Sequence, residues 1–183
     1  MAIQTRPSQQ ITLTAALIAI GAAARIGVGN VALNAPEPLF GILIKIGLTE
    51  TLTFITGYAF GIVPGFVAGA SIIVISDAAM LPGAWTPFIA GIIGIIGVCA
   101  GLIRRVAPKP SFALMGVSAI ILTILSELLQ NAWVALFYNV PFLATMITGL
   151  SSMIAALINN FVLFTTVGLR VARMILHSSG RSN

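Results

Sequence analysis

GYAFGIVPGFVAGASIIVISDAAMLPGAWTPFIAGIIGIIGVCAG, running from Gly57 to Gly101, is the stretch whose reading decides the fold. Glycines stand at 57, 61, 65 and 69, and again at 91, 94, 97 and 101. Steps of three and four place small residues along one side of a helix. Such a side lets backbones approach closely, which is how helices associate where lipid removes the hydrophobic driving force. Between the two sets, Leu81-Pro82-Gly83-Ala84-Trp85-Thr86-Pro87 cannot continue a helix, because two prolines lack N–H donors and Gly83 is free to take positive φ. The stretch is therefore expected to form two packed spans joined by a loop.

Composition carries the same reading to the whole chain. Of 183 residues, 58% are hydrophobic and only 7% charged, with a mean hydropathy of +1.10, where a soluble domain carries about 25% charged residues. The expectation is an all-α integral membrane protein with a single membrane domain, 1–183. The formal charge is +5, but the basic residues are few and scattered rather than forming a stripe, so nucleic acid is not an expected partner. Cys99 is the single cysteine, which excludes an intrachain disulfide; in an apolar, glycine-rich span it reads as buried and inert.

Apolar run lengths predict six transmembrane helices, at 12–29, 49–60, 67–81, 88–103, 112–138 and 142–169. At the N-terminus a cleaved leader ending near Ala22-Ala23-Ala24 competes with an uncleaved first helix. The recurrence of Ala15, Ala19 and Ala23 favours the helix, since it makes a smooth face suited to a partner helix. Ordinary internal packing would use the same face. From Val28 to Leu48, Gly29, Asn30, Asn34, Pro36 and Pro38 break the pattern, and an exterior loop with an apolar, re-entrant part at 39–46 is expected. Thr49, Thr51, Thr53 and Thr56 can bond back to helix carbonyls. A turn is expected over 61–66, with Pro64 and Gly65.

Six spans put both termini on one side of the membrane. Arg6, Arg104, Arg105, Lys109, Arg170, Arg173 and Arg181 then share that side, against Arg25 and Lys45 on the other. The asymmetry places the termini in the cytoplasm of a cell whose plasma membrane the protein crosses.

Several of these residues resemble a known family. Ala24-Arg25-Ile26-Gly27, Thr53-Phe54-Ile55-Thr56-Gly57-Tyr58-Ala59-Phe60-Gly61, Gly65-Phe66-Val67-Ala68-Gly69-Ala70 and, above all, Gly83-Ala84-Trp85-Thr86-Pro87-Phe88 are similar to segments of the S components, the membrane-embedded substrate-binding subunits of energy-coupling factor (ECF) vitamin transporters. The last segment looks like their GPWTP loop. The resemblance implies a six-helix protein that captures a vitamin or related micronutrient from outside, with external loops and later helices forming the site. On that pattern Asn34, Glu37, Trp85 and Thr86 belong to the substrate side. Ala15, Ala19 and Ala23 would dock onto a transmembrane coupling subunit, itself bound to two ATPase subunits. The chain departs from the pattern between Arg25 and Thr53, where it is longer, and at Asp77, where an asparagine is frequent.

Independently of the family, ionisable side chains in hydrocarbon cost about 2.5 to 3.5 kcal/mol at mid-span and call for a reason. On the fifth expected span, Glu127, Asn131, Val134 and Tyr138 follow steps of four, three and four and share one face, which either lines a polar pocket or fixes helix packing. Gln130 and Trp133 point elsewhere. Asp77 near the outer boundary serves a helix end or a ligand. Trp85 stacks on a flat heterocycle or anchors at the interface. Asn159 and Asn160 glue helices or bind ligand. Arg25 snorkels to headgroups by default, with Glu37 or an anionic ligand as alternative partners.

Catalytic readings find little support. His177, the single histidine, lies in the basic tail, so neither an HExxH zinc pair nor a serine–histidine dyad can form within the membrane. No GxxxxGK[ST] loop occurs, so ATP hydrolysis would belong to another chain. The chain is expected to be no enzyme and to hold no metal or cofactor. Two classes of function stay open: a substrate-capture subunit of a multisubunit importer, and a non-transporting membrane scaffold of an enzyme or respiratory complex.

Overall fold

The computed structural model describes residues 7–33, 47–80 and 82–180. Of the loop expected over 28–48, residues 34–46, with Asn34, Glu37, Lys45 and the re-entrant part, lie outside the described residues, whereas 28–33 are helical where a loop was expected. All the described elements are helical: α1 (Pro7–Leu33), α2 (Leu48–Phe60), α3 (Ile62–Met80), α4 (Thr86–Val106), α5 (Phe112–Tyr138), α6 (Phe142–Thr148), α7 (Leu150–Leu163), a π-helical turn (Phe164–Gly168) and α8 (Leu169–Gly180). Among the described residues five stretches are long and apolar enough to cross a membrane: Pro7–Asn30, Ile62–Met80, Thr86–Val106, Phe112–Tyr138 and Leu150–His177. The protein is thus all-α, with the character of a multi-pass membrane protein.

Over the second expected span, 49–60, the described helix has 13 residues and is not among these five stretches. At 1.5 Å per residue α2 reaches about 20 Å, short of a hydrocarbon core of about 30 Å. Its side chains are interior: Thr49 and every residue from Thr51 to Tyr58 are buried. Its threonines fit there because they bond within their own helix: the Thr51 hydroxyl donates to the Gly47 carbonyl and that of Thr56 to Leu52, both at 2.8 Å.

Other boundaries differ from the sequence reading too, and α1, expected over 12–29, runs from Pro7 to Leu33. The turn expected over 61–66 contracts to Gly61, whose φ of 107° only glycine adopts freely. Pro64 falls in the first turn of α3, where its missing N–H has no helical partner to lose. Pro87 does the same in α4, which starts before 88 and runs past 103. The run at 142–169 is broken at Gly149 and then continues through the π turn to Gly180. α5 alone has the bounds expected of it: the Ser111 hydroxyl caps its start by accepting from the Leu114 N–H at 3.2 Å, and Asn139 ends it in the left-handed conformation.

Glycine packing holds α2, α3 and α4 together. A Cβ built on Gly65 would lie 2.5 Å from the Gly97 carbonyl oxygen and 2.6 Å from the Gly57 Cα, so three backbones meet at one node. A Cβ on Gly69 would meet the Ile93 carbonyl, one on Gly94 the Phe66 ring, and one on Gly101 the start of α3. Gly91 faces open space. Below this node the core gathers Phe54, Tyr58, Ile93, Ile96, Met115 and Phe164, with the Phe54 and Phe164 rings 4.9 Å apart.

Chain direction orders the two ends of the bundle. The Tyr58 hydroxyl donates to the Ala107 carbonyl at 2.6 Å, and Arg104 donates to the Tyr58 carbonyl at 3.3 Å, so α2 and α4 finish at the same end. Arg173 of α8 reaches the Pro110 carbonyl, which brings the later basic cluster to that end as well. Arg25, Asp77 and Thr86 meet at the other.

Candidate functional site

α2 begins inside the bundle, and polar side chains of α5 and α7 converge on its first residues. Asn160, only 2% exposed, donates from Nδ2 to the Thr123 hydroxyl at 2.8 Å. Its Oδ1 is buried without a hydrogen-bond partner and rests against Gly47, where a Cβ would collide with it. Thr53 on α2 likewise buries a hydroxyl with no partner. Glu127, one turn beyond Thr123 on α5, is 4% exposed, and Ser126 beside it accepts from Gln130 at 2.9 Å. An amide oxygen without a donor, in an apolar setting, is a strong acceptor awaiting one, because leaving it unmade costs about 1 to 3 kcal/mol.

The face predicted on α5 divides along its length. Glu127 is buried, Asn131 half-buried and Tyr138 57% exposed. The Asn131 amide nitrogen donates back to the Glu127 carbonyl at 2.8 Å, while its Oδ1 faces Gly149 at the α6–α7 junction and its carbonyl accepts from Thr145 at 3.3 Å. Tyr138 joins an aromatic group with Trp133, Phe137 and, through Trp133, Phe88 of α4; the ring centroids lie 5.0 to 6.3 Å apart. Trp133, expected to point elsewhere, is half-buried with its indole N–H lacking an acceptor. The spacing of Trp133 and Phe137 by four residues was the available signal for this group.

At the same end, Asp77 of α3 is 3% exposed and receives side chains from two other elements. Arg25 of α1 donates to its Oδ1 and to the Ser76 hydroxyl, each at 2.5 Å, and the Thr86 hydroxyl at the start of α4 donates to its Oδ2 at 2.7 Å. Arg25 is thus not a snorkelling cation: a buried carboxylate one helix away holds it inward. Trp85 folds its ring over Gly83, while the Gly83 N–H donates to the Thr86 hydroxyl at 3.3 Å. The loop between α3 and α4 is therefore closed on itself and clamped to Asp77.

On α1, Ala15, Ala19 and Ala23 are exposed, as is Gly27 on the same face, while Leu17, Gly21 and Ala22 turn inward. Among the described residues no three of histidine, cysteine, aspartate and glutamate gather to hold a metal ion. A scan against protein-family models finds no match to this chain, and comparison with curated proteins and with solved structures finds none either.

Proposed function

We propose that this protein is the substrate-capture subunit of an ECF-type importer for a vitamin or related micronutrient, sitting in the plasma membrane with both termini in the cytoplasm. The observation that carries the reading is the buried, unpartnered Oδ1 of Asn160 against Gly47 at the start of α2. A small molecule with an N–H or O–H donor would complete that acceptor. Gathering of basic side chains at one end of the bundle supports the orientation. The test is calorimetric titration with the small molecule extracted from the purified protein. Asn160→Ala and Glu127→Gln should each weaken binding by about tenfold to a hundredfold with folding intact. Asn131→Leu should cost less, because its amide nitrogen serves its own helix. Unchanged affinity in the first two variants would make this cluster a packing device.

The outward alanine face of α1 supports docking onto a transmembrane coupling subunit that carries two ATPases. Ala19→Leu with Ala23→Leu should hold a partner helix away, abolishing uptake while substrate binding by the isolated subunit persists. Undiminished uptake would move the docking face elsewhere. Copurification with an enzyme or respiratory complex, and no retained small molecule, would favour the scaffold reading.

A further inference from the structure

The connection between α4 and α5 and the last helix enclose a groove of about 620 Å³ lined by Arg104, Lys109, Arg173 and His177, with Leu176 and two prolines completing its wall. Its two arginines both have partners on the chain. Arg104 lies 5.2 Å over the Tyr58 ring and donates to the Tyr58 carbonyl; Arg173 reaches toward the Pro110 carbonyl at 3.5 Å. None of the lining residues is acidic. The chain has four acids in all, Glu37, Glu50, Asp77 and Glu127. Asp77 is committed at the opposite end of the bundle. Like charges gathered in one groove repel, and among the described residues its lining offers no acidic side chain to offset them, so an anion from outside would be drawn there.

The groove also adjoins apolar surface. Val106 is 88% exposed at the end of α4, one turn beyond exposed Leu102, and Phe112 and Met174 are exposed at the neighbouring helix ends. Phosphate oxygens suit the forked donors of two arginines, and acyl chains suit the exposed strip beside them. We propose that this groove binds the phosphate headgroup of an anionic phospholipid, whose chains lie along the ends of α4 and α8.

The full-length protein, reconstituted in nanodiscs of phosphatidylcholine containing a small fraction of phosphatidylglycerol, provides the test by native mass spectrometry of retained lipid. Wild type should keep phosphatidylglycerol over phosphatidylcholine. Lys109→Gln with Arg173→Gln should reduce that preference by about tenfold to thirtyfold. Arg105→Gln with Arg170→Gln removes the same charge from side chains that do not line the groove, and should leave most of the preference. Equal losses in the two double variants would reduce the effect to general surface potential and overturn the proposal. Should the first double variant fail to fold, Lys109→Gln alone, at an exposed position, should show a partial loss; none would count against the groove. Inorganic phosphate in detergent separates the two sources of the anion. Thermal stabilisation by phosphate that depends on Lys109 and Arg173, without any lipid preference, would make this a soluble-anion site instead.

Discussion

Gly97→Ala should destabilise the protein by about 3 kcal/mol, and Gly97→Leu should prevent it from folding. The reason is that nothing near Gly97 can move aside cheaply. Its would-be Cβ falls on the backbone of Gly65, while Gly57 and Gly65 in turn face the Gly97 carbonyl. Overpacking against a side chain is relieved by a change of rotamer, but here the obstacle is the main chain of α3, and relief requires moving that helix bodily. A loss of this size is a large fraction of the roughly 5 to 15 kcal/mol that holds a typical domain together. Gly91→Ala is the matched control. Its Cβ meets open space on the same helix, so it should be neutral or slightly stabilising through better helix propensity. Thermal unfolding of the detergent-purified variants measures both. An equal loss at the two positions would mean that helix flexibility, and not close packing, is what the glycines supply.

Removing Arg25 should cost more than removing Asp77, although both break one ion pair. Asp77 is buried, with a side-chain exposure of 4%, whereas Arg25 retains 29%. Arg25→Met strands a carboxylate among packed helices with the Thr86 hydroxyl at its other oxygen, at a cost of about 3 kcal/mol. Asp77→Asn frees a long cation that can turn toward water or headgroups, and should cost about 1 kcal/mol. Arg25→Met combined with Asp77→Leu should recover much of the loss, since no unpaired charge remains buried. Denaturation midpoints of the three variants give the ranking. If Asp77→Asn proved the worse of the single changes, the carboxylate would be serving something besides Arg25.

The contrast between these two predictions also marks what a linear sequence makes visible. Glycine spacing announced a packed face, and the helix of Phe112 to Tyr138 was readable to the residue because Ser111 and Asn139 are local stop signals. Six of the eight glycines do meet neighbours, yet Gly61 and Gly91 do not, and no periodicity separates them from the rest. The pairing of Arg25 with Asp77 spans 52 residues and depends on how α1 leans on α3, which composition does not encode. The burial of the second expected span was hidden for a related reason. Its apolar, threonine-rich residues suit hydrocarbon and protein interior equally, and only the surrounding helices decide which they meet. Asn160 was legible as a polar residue in a span; that one of its two amide atoms would be satisfied and the other left open was not.

The π turn at Phe164 to Gly168 resolves a problem of phase. Ala156, Asn160, Phe164, Gly168 and Ala172 are all buried, and they recur at strict intervals of four. In a uniform α-helix, four residues overshoot a full turn by about 40°, so such a row would wind well away from the bundle after four intervals. The wider turn takes back part of that rotation. It acts as a vernier between two halves of one long helix, letting Asn160 look into the middle of the bundle and Ala172 into its end. Arg173, the neighbour of Ala172, is thereby carried to the groove. A continuous α-helix of the same sequence could serve one of these registers, but not both.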